Sequence, residues 1–124
     1  MSSNKPTFDL TGKVALVTGS SSGIGEAIAV QFAQLGAKVT ITGRVEENLR
    51  RIEKEISNNG SLNNCLSVVG DLLDQNLAEK LINQTVEKFG QLDILVNNAG
   101  KLKVLVNVCK SRFLICNLIR WWKS

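Results

Sequence analysis

Apolar positions along the chain switch between two periods. Lys13 to Gly19, "KVALVTG", is a short apolar run rich in β-branched residues that ends on glycine, the pattern of a strand buried on both faces. Ile24, Ile28, Phe32 and Leu35 then recur at helical spacing, and Gly36 follows as a stop. "KVTITG" (Lys38 to Gly43) predicts a second strand, and Leu49, Ile52 and Ile56 mark one face of a second helix that ends near "NNG" at Asn58 to Gly60. "CLSVVG" (Cys65 to Gly70) predicts a third strand. Asp74 then stands as the cap of a third helix with Leu77, Leu81, Ile82, Thr85 and Phe89 on its apolar face and Gly90 as its stop, before "LDILVN" (Leu92 to Asn97) as a fourth strand.

Strands alternating with helices predict an α/β fold built on a parallel sheet. Right-handed crossovers give the strand order 3-2-1-4, with the first two helices on one face and the third on the other. One helix then covers most of the second face and the fourth strand is an open edge, which predicts a marginally stable chain able to associate through that edge.

Composition narrows the function classes. The net charge of +4 suggests nucleic acid until it is divided along the chain. All 11 Asp and Glu fall within residues 1–100 with 9 of the 15 Lys and Arg, so that part is mildly acidic. Lys101, Lys103, Lys110, Arg112, Arg120 and Lys123 follow with no acid, so the basic balance belongs to the tail and describes no nucleic-acid-binding face. The chain holds no histidine, and Cys65, Cys109 and Cys116 are widely spaced, so reduced, packed thiols are expected rather than a metal site. No signal-peptide pattern and no transmembrane segment is seen, which predicts an intracellular, cytoplasmic chain.

"TGSSSGIG" (Thr18 to Gly25) places Gly19, Gly23 and Gly25 between the first strand and the first helix. A dinucleotide pyrophosphate needs a tight turn, a place where backbone can approach without a Cβ, and close strand-to-helix packing; three glycines meet those needs, and the helix start then faces the phosphates. The alternative is a glycine-rich turn that binds nothing. At the end of the second strand, where a carboxylate would bind the ribose 2′-hydroxyl of NAD, the chain reads "TGR". Gly43 replaces the acid, and the Arg44 guanidinium is placed to pair with a 2′-phosphate, which favours NADP(H) over NAD(H); the alternative is a solvated surface arginine.

With these features in hand, the sequence resembles the short-chain dehydrogenase/reductase family. "TGSSSGIG" matches its Thr-Gly-x-x-x-Gly-x-Gly cofactor turn, "NNAG" (Asn97 to Gly100) its segment at the end of the fourth strand, and "GDL" (Gly70 to Leu72) its aspartate after the third. The resemblance covers roughly residues 8–100 and implies the first half of a doubly wound Rossmann fold, residues 1–100, followed by a tail, 101–124, unlike the family. It implies that Gly19, Ser21, Gly23, Ile24 and Gly25 line the pyrophosphate, that Arg44 meets the adenosine end, that Asp71 and Leu72 flank adenine, and that Asn98, Ala99 and Gly100 contact the ribose side or brace the sheet. Many NADP-using members carry a basic residue just before the second glycine, where this chain has Ser22, so the NADP preference rests on Arg44 and the missing acid.

The family moves a hydride between the cofactor and a carbonyl or alcohol, with a tyrosine phenol, tuned by lysine and assisted by serine, handling the proton. This chain has no tyrosine at all, so no catalytic residue is assigned. The simplest account of the change after Gly100 is a truncated product in which alternative splicing, a retained intron or a frame error joins unrelated codons. Such a chain keeps the cofactor motifs and lacks catalysis; alternatively it is a non-catalytic nucleotide-binding or interaction module that pairs with a full-length relative. Within the tail, Leu102, Val104, Val106 and Val108 alternate with more polar neighbours, so 102–109 suits a hairpin strand on the fourth strand's edge, and 112–122 suits a short apolar helix whose Trp121 and Trp122 could meet a membrane surface.

Overall fold

The computed structural model describes residues 9–19, 23–58, 64–71, 74–97 and 114–117. In chain order they form β1 (Val14–Val17), α1 (Gly23–Gln34), β2 (Lys38–Gly43), α2 (Glu46–Asn58), β3 (Cys65–Val69), α3 (Gln75–Phe89), β4 (Ile94–Asn97) and β5 (Leu114–Asn117). The strands make one sheet in the order β3-β2-β1-β4-β5, every neighbouring pair parallel, with Leu16 of β1 opposite Thr40 of β2 and Leu95 of β4. The expected 3-2-1-4 core of the sheet is present.

Successive residues of a strand point to opposite faces, and the two faces meet different helices. Ala15, Val17, Val39 and Ile41 pack with Ala29 and Ala33 of α1 and with Leu49, Ile52 and Ile56 of α2. Val14, Leu16, Val68 and Leu95 pack with Leu77, Ala78 and Leu81 of α3. The helices therefore divide between the faces as right-handed crossovers require. Leu16 and Leu95, on the face served by the single helix, are fully buried.

Helix ends are set by local chemistry. The Asp74 carboxylate accepts a 2.9 Å hydrogen bond from the Asn76 N–H, and α3 stops at Gly90, whose N–H donates to the Val86 carbonyl at 2.7 Å. α1 differs from its sequence pattern. The face against the sheet is Gly25, Ala29 and Ala33, while Ile28 and Phe32 flank it and Ile24 is about half exposed. Small side chains let this helix lie close to the strands, and the larger apolar residues fill the margins.

Two expectations for the tail need correction. The β4 edge is not open, because β5 pairs with it in parallel register, Val96 opposite Cys116. Within 112–122, where a helix was the expectation, residues 114–117 are that strand. An uncapped edge presents unpaired N–H and C=O groups, and a strand containing Ile115 satisfies them where a helix would leave them to water. The hairpin strand expected over 102–109 lies outside the described residues, and the strand found on this edge runs parallel, as only a crossover connection allows.

Candidate functional site

A parallel sheet brings the ends of its strands to one edge, so loops far apart in sequence converge there. The turn after β1 leads into α1, Arg44 follows β2, Asp71 lies two residues beyond β3, and the 98–100 segment follows β4. The order reverses between β1 and β4: from β1 the chain continues to β2 on one side, and β4 lies on the other. A crevice at such a switch point, outside the carboxyl ends of the strands, is where open α/β sheets take ligands.

Gly19 and Gly23 both hold positive φ, +64° and +62°, a conformation that strains any side-chain-bearing residue. A Cβ at Gly23 would meet nothing within 4 Å, so its requirement is conformational and the space at the helix start is open. α1 begins at Gly23 itself, which leaves its first backbone N–H groups without intrahelical partners. Gly25 is buried between helix and sheet. Positive-φ glycines at positions 19 and 23, open room at Gly23 and the N–H groups of a helix start are features that suit a pyrophosphate. Ile24 is exposed beside it. Ser21 lies outside the described residues.

Hydrogen bonds beyond the strand register hold this edge. The Gly70 N–H donates to the Gly43 carbonyl at 2.9 Å, which joins the residue before Arg44 to the residue before Asp71. Thr42 adds a 2.7 Å hydroxyl bond to the Val68 carbonyl. Arg44 and Asp71 are both exposed, on neighbouring loops. Leu72, Asn98, Ala99 and Gly100 lie outside the described residues.

Thr18 has a part that sequence reasoning did not assign. Its N–H and its hydroxyl both donate to the Val96 carbonyl, at 3.1 and 3.2 Å, and so tie the end of β1 to β4 across the switch point. The side chain is fully buried. A threonine directly before the glycine turn was the available signal; its partner, 78 positions away, was not visible. A second link lies at the outer side. Arg51 of α2 makes a forked pair with Glu26 in the first turn of α1, both contacts 2.9 Å, and this hydrogen bonding holds the Glu26 carboxyl below the usual carboxylate range.

Elsewhere the titratable groups look structural. Burial pushes the Cys65 thiol up to about 12, so it stays protonated and unreactive. The Ser67 hydroxyl donates to Glu53, and the Lys88 ammonium reaches the Cys65 carbonyl at 3.4 Å, both at the β3 edge. Among the described residues no cluster of three or more His, Cys, Asp or Glu is placed to hold a metal ion. No helix among them is long and apolar enough to cross a membrane.

Comparison with known proteins converges on one family. The short chain dehydrogenase profile matches residues 13–113. The chain is 46% identical over 97 residues to the uncharacterized oxidoreductase YhdF of Bacillus subtilis, covering 74% of this chain and 32% of that protein. It is 44% identical over 99 residues to versicolorin reductase stcU of Emericella nidulans, covering 79% of this chain and 37% of that one. Among solved structures, the apo glucose dehydrogenase of Caenorhabditis elegans superposes with a TM-score of 0.71 at 49% identity, covering 74% of this chain and 39% of that one. A cofactor-bound short-chain dehydrogenase/reductase of unknown function from the same organism gives 0.69 at 42% identity, covering 71% of this chain and 33% of that one. The chain spans about a third of the length of the curated relatives it matches, 32% and 37% for these two.

Proposed function

The chain belongs to the short-chain dehydrogenase family, whose oxidoreductases use a nicotinamide cofactor, and from that premise we propose that it binds NADP(H) in preference to NAD(H). The observation that carries the proposal is the convergence, on one edge of a parallel sheet, of two positive-φ glycines at a helix start with an arginine at the end of β2. Gly19, Gly23 and the first N–H groups of α1 take the pyrophosphate, and Ser21 adds a hydroxyl beside them. Arg44 pairs with the 2′-phosphate, since Gly43 presents no carboxylate to repel it. Asp71 and Leu72 flank the adenine, and Asn98, Ala99 and Gly100 meet the ribose side.

The reaction class that goes with this site is hydride transfer between a carbonyl and an alcohol. The nicotinamide, when bound, supplies or accepts the hydride. The proton that accompanies it needs a donor near neutral pH, and this chain contains neither tyrosine nor histidine. We therefore read the chain as one that holds the cofactor without turning it over. A module that pairs with a longer relative through the β4 edge is the weaker alternative, because β5 takes that edge.

The test is titration of the purified chain with NADPH and with NADH, followed by quenching of Trp121 and Trp122 and by calorimetry. NADPH should bind at least tenfold more tightly, the worth of one charge-assisted phosphate pair of about 1.5 kcal/mol or more. Arg44→Ala should abolish the difference. Equal affinities for the two cofactors contradict the NADP(H) assignment, and reduction of a carbonyl panel by the purified chain contradicts the absence of turnover.

A further inference from the structure

We propose that Glu26 and Arg51 form a positioning clamp that sets the spacing between the two anchors of the dinucleotide, the start of α1 and Arg44; this rests on the cofactor reading above. The sheet fixes the strand ends Val17 and Gly43 relative to one another, but both anchors lie beyond it. The phosphate-facing anchor is the first turn of α1, which contains Glu26. The other is Arg44, two residues before α2 begins at Glu46, with the Leu49 N–H already donating to the Val45 carbonyl at 3.4 Å. Arg44 therefore moves with the first turn of α2.

The clamp joins the first turn of α1 to the second turn of α2, directly after the turn that carries Arg44. Arg51 Nη1 donates to Glu26 Oε2 and Nη2 to Glu26 Oε1, each at 2.9 Å. A fork of this kind fixes orientation as well as distance, which a single contact between long side chains does not. Glu47 and Glu55 flank Arg51 one turn away in each direction on its own helix, where an ordinary surface arginine finds its partner. Neighbouring Arg50 does so, with Glu46 at 2.7 Å. Arg51 places its forked pair on the adjacent helix, while Glu55 on its own helix adds an electrostatic attraction. The Glu26 side chain retains 23% exposure, so the pair is less screened than the Arg50–Glu46 pair, where both side chains exceed half exposure.

A ligand that spans both anchors gains from having them held at the right separation, because its second contact forms without further ordering. A ligand that touches one anchor gains nothing. The test uses the full chain with Glu26→Gln, Arg51→Gln and the double variant, titrated with NADPH and with 2′-AMP, which reaches the Arg44 end alone. Both single variants should weaken NADPH by about fivefold, the upper range for a well-formed surface pair, and the double variant should be no weaker than either. Binding of 2′-AMP should stay within about twofold. Arg51→Lys, which keeps the charge but cannot fork, should fall between the parent and Arg51→Gln.

Simple electrostatics predicts otherwise: removing an acid near the phosphates should strengthen NADPH and removing a base should weaken it. Opposite signs for the two single variants, additive losses, or equal loss of 2′-AMP binding would each overturn the clamp while leaving the cofactor site standing. A parent chain that binds neither NADPH nor 2′-AMP would overturn the cofactor reading and the clamp together.

Discussion

On one face of the sheet, α1 and α2 cover β1, β2 and β4 with aliphatic and alanine contacts, and Ile41, Leu49 and Ile52 are fully out of water. On the other, α3 is the covering helix among the described residues, and β2 sends Thr40 and Thr42 toward it instead of aliphatic side chains. Threonine has nearly the shape of valine, so it fills the pleat, but its hydroxyl must find a partner once buried. Thr85 of α3 meets Thr40 in a 2.8 Å hydroxyl-to-hydroxyl bond and lies 2.7 Å from the Leu81 carbonyl. The two-helix face thus has a larger apolar interior, with its directional bonds at the margins (Arg51 to Glu26 and Ser67 to Glu53), and the α3 face a smaller apolar cluster reinforced by a buried hydroxyl pair.

The largest effect should come from opening a cavity under the two helices. Ile52→Ala removes a fully buried side chain from between α2 and the strands and should destabilise the chain by about 4 kcal/mol. Leu81→Ala on α3 should cost about 2 kcal/mol, because a lone helix can settle into the space more readily than one wedged against a neighbour. Urea denaturation of both variants measures the difference. Equal losses would show that the two faces are equally rigid.

The polar point on the α3 face predicts a smaller, non-additive effect. Thr85→Val leaves the Thr40 hydroxyl buried without its partner and should destabilise by about 1.5 kcal/mol. Adding Thr40→Val removes the orphaned group and should recover most of that loss. A double variant as weak as the sum of the singles would show that the hydroxyls act independently.

Which of these features the sequence could show depends on how local their causes are. The α2 stripe of Leu49, Ile52 and Ile56 and the Asp74 cap are legible because the periodicity and the cap act within a few residues. α1 misleads, since its sheet-facing residues are Gly25, Ala29 and Ala33, and hydrophobicity draws the eye to larger Ile24, which is left exposed. "LICN" misleads for another reason: a short apolar run looks alike as helix or strand, and the waiting edge of β4 decides between them. The same division runs through the site. Gly19 and Gly23 are readable because positive φ is a demand of their own turn. Thr18 and the Glu26–Arg51 pair are not, because their partners lie 78 and 25 positions away and are brought together only by the fold.

The two-helix face also buries a group that can ionise, and this gives the smallest of the expected effects. Cys65 belongs to the two-helix face, where burial is the main cause lifting its thiol from an ordinary value of 9.0 to about 12, with Glu53 adding to it. Unfolded, the thiol loses its proton above about pH 9 while the folded chain keeps it, so the unfolded state binds fewer protons and stability falls as pH rises through this window. The slope from this one group approaches about 1.4 kcal/mol per pH unit at most, which amounts to about 1 kcal/mol between pH 9 and 10. Lysines also titrate there, so the measurement is the difference between the parent and Cys65→Ala, whose cavity loss does not change with pH. The parent's advantage over Cys65→Ala should shrink by that amount from pH 9 to 10. A constant difference would mean that the thiol ionises as easily folded as unfolded, and that the two-helix face admits water at its β3 margin.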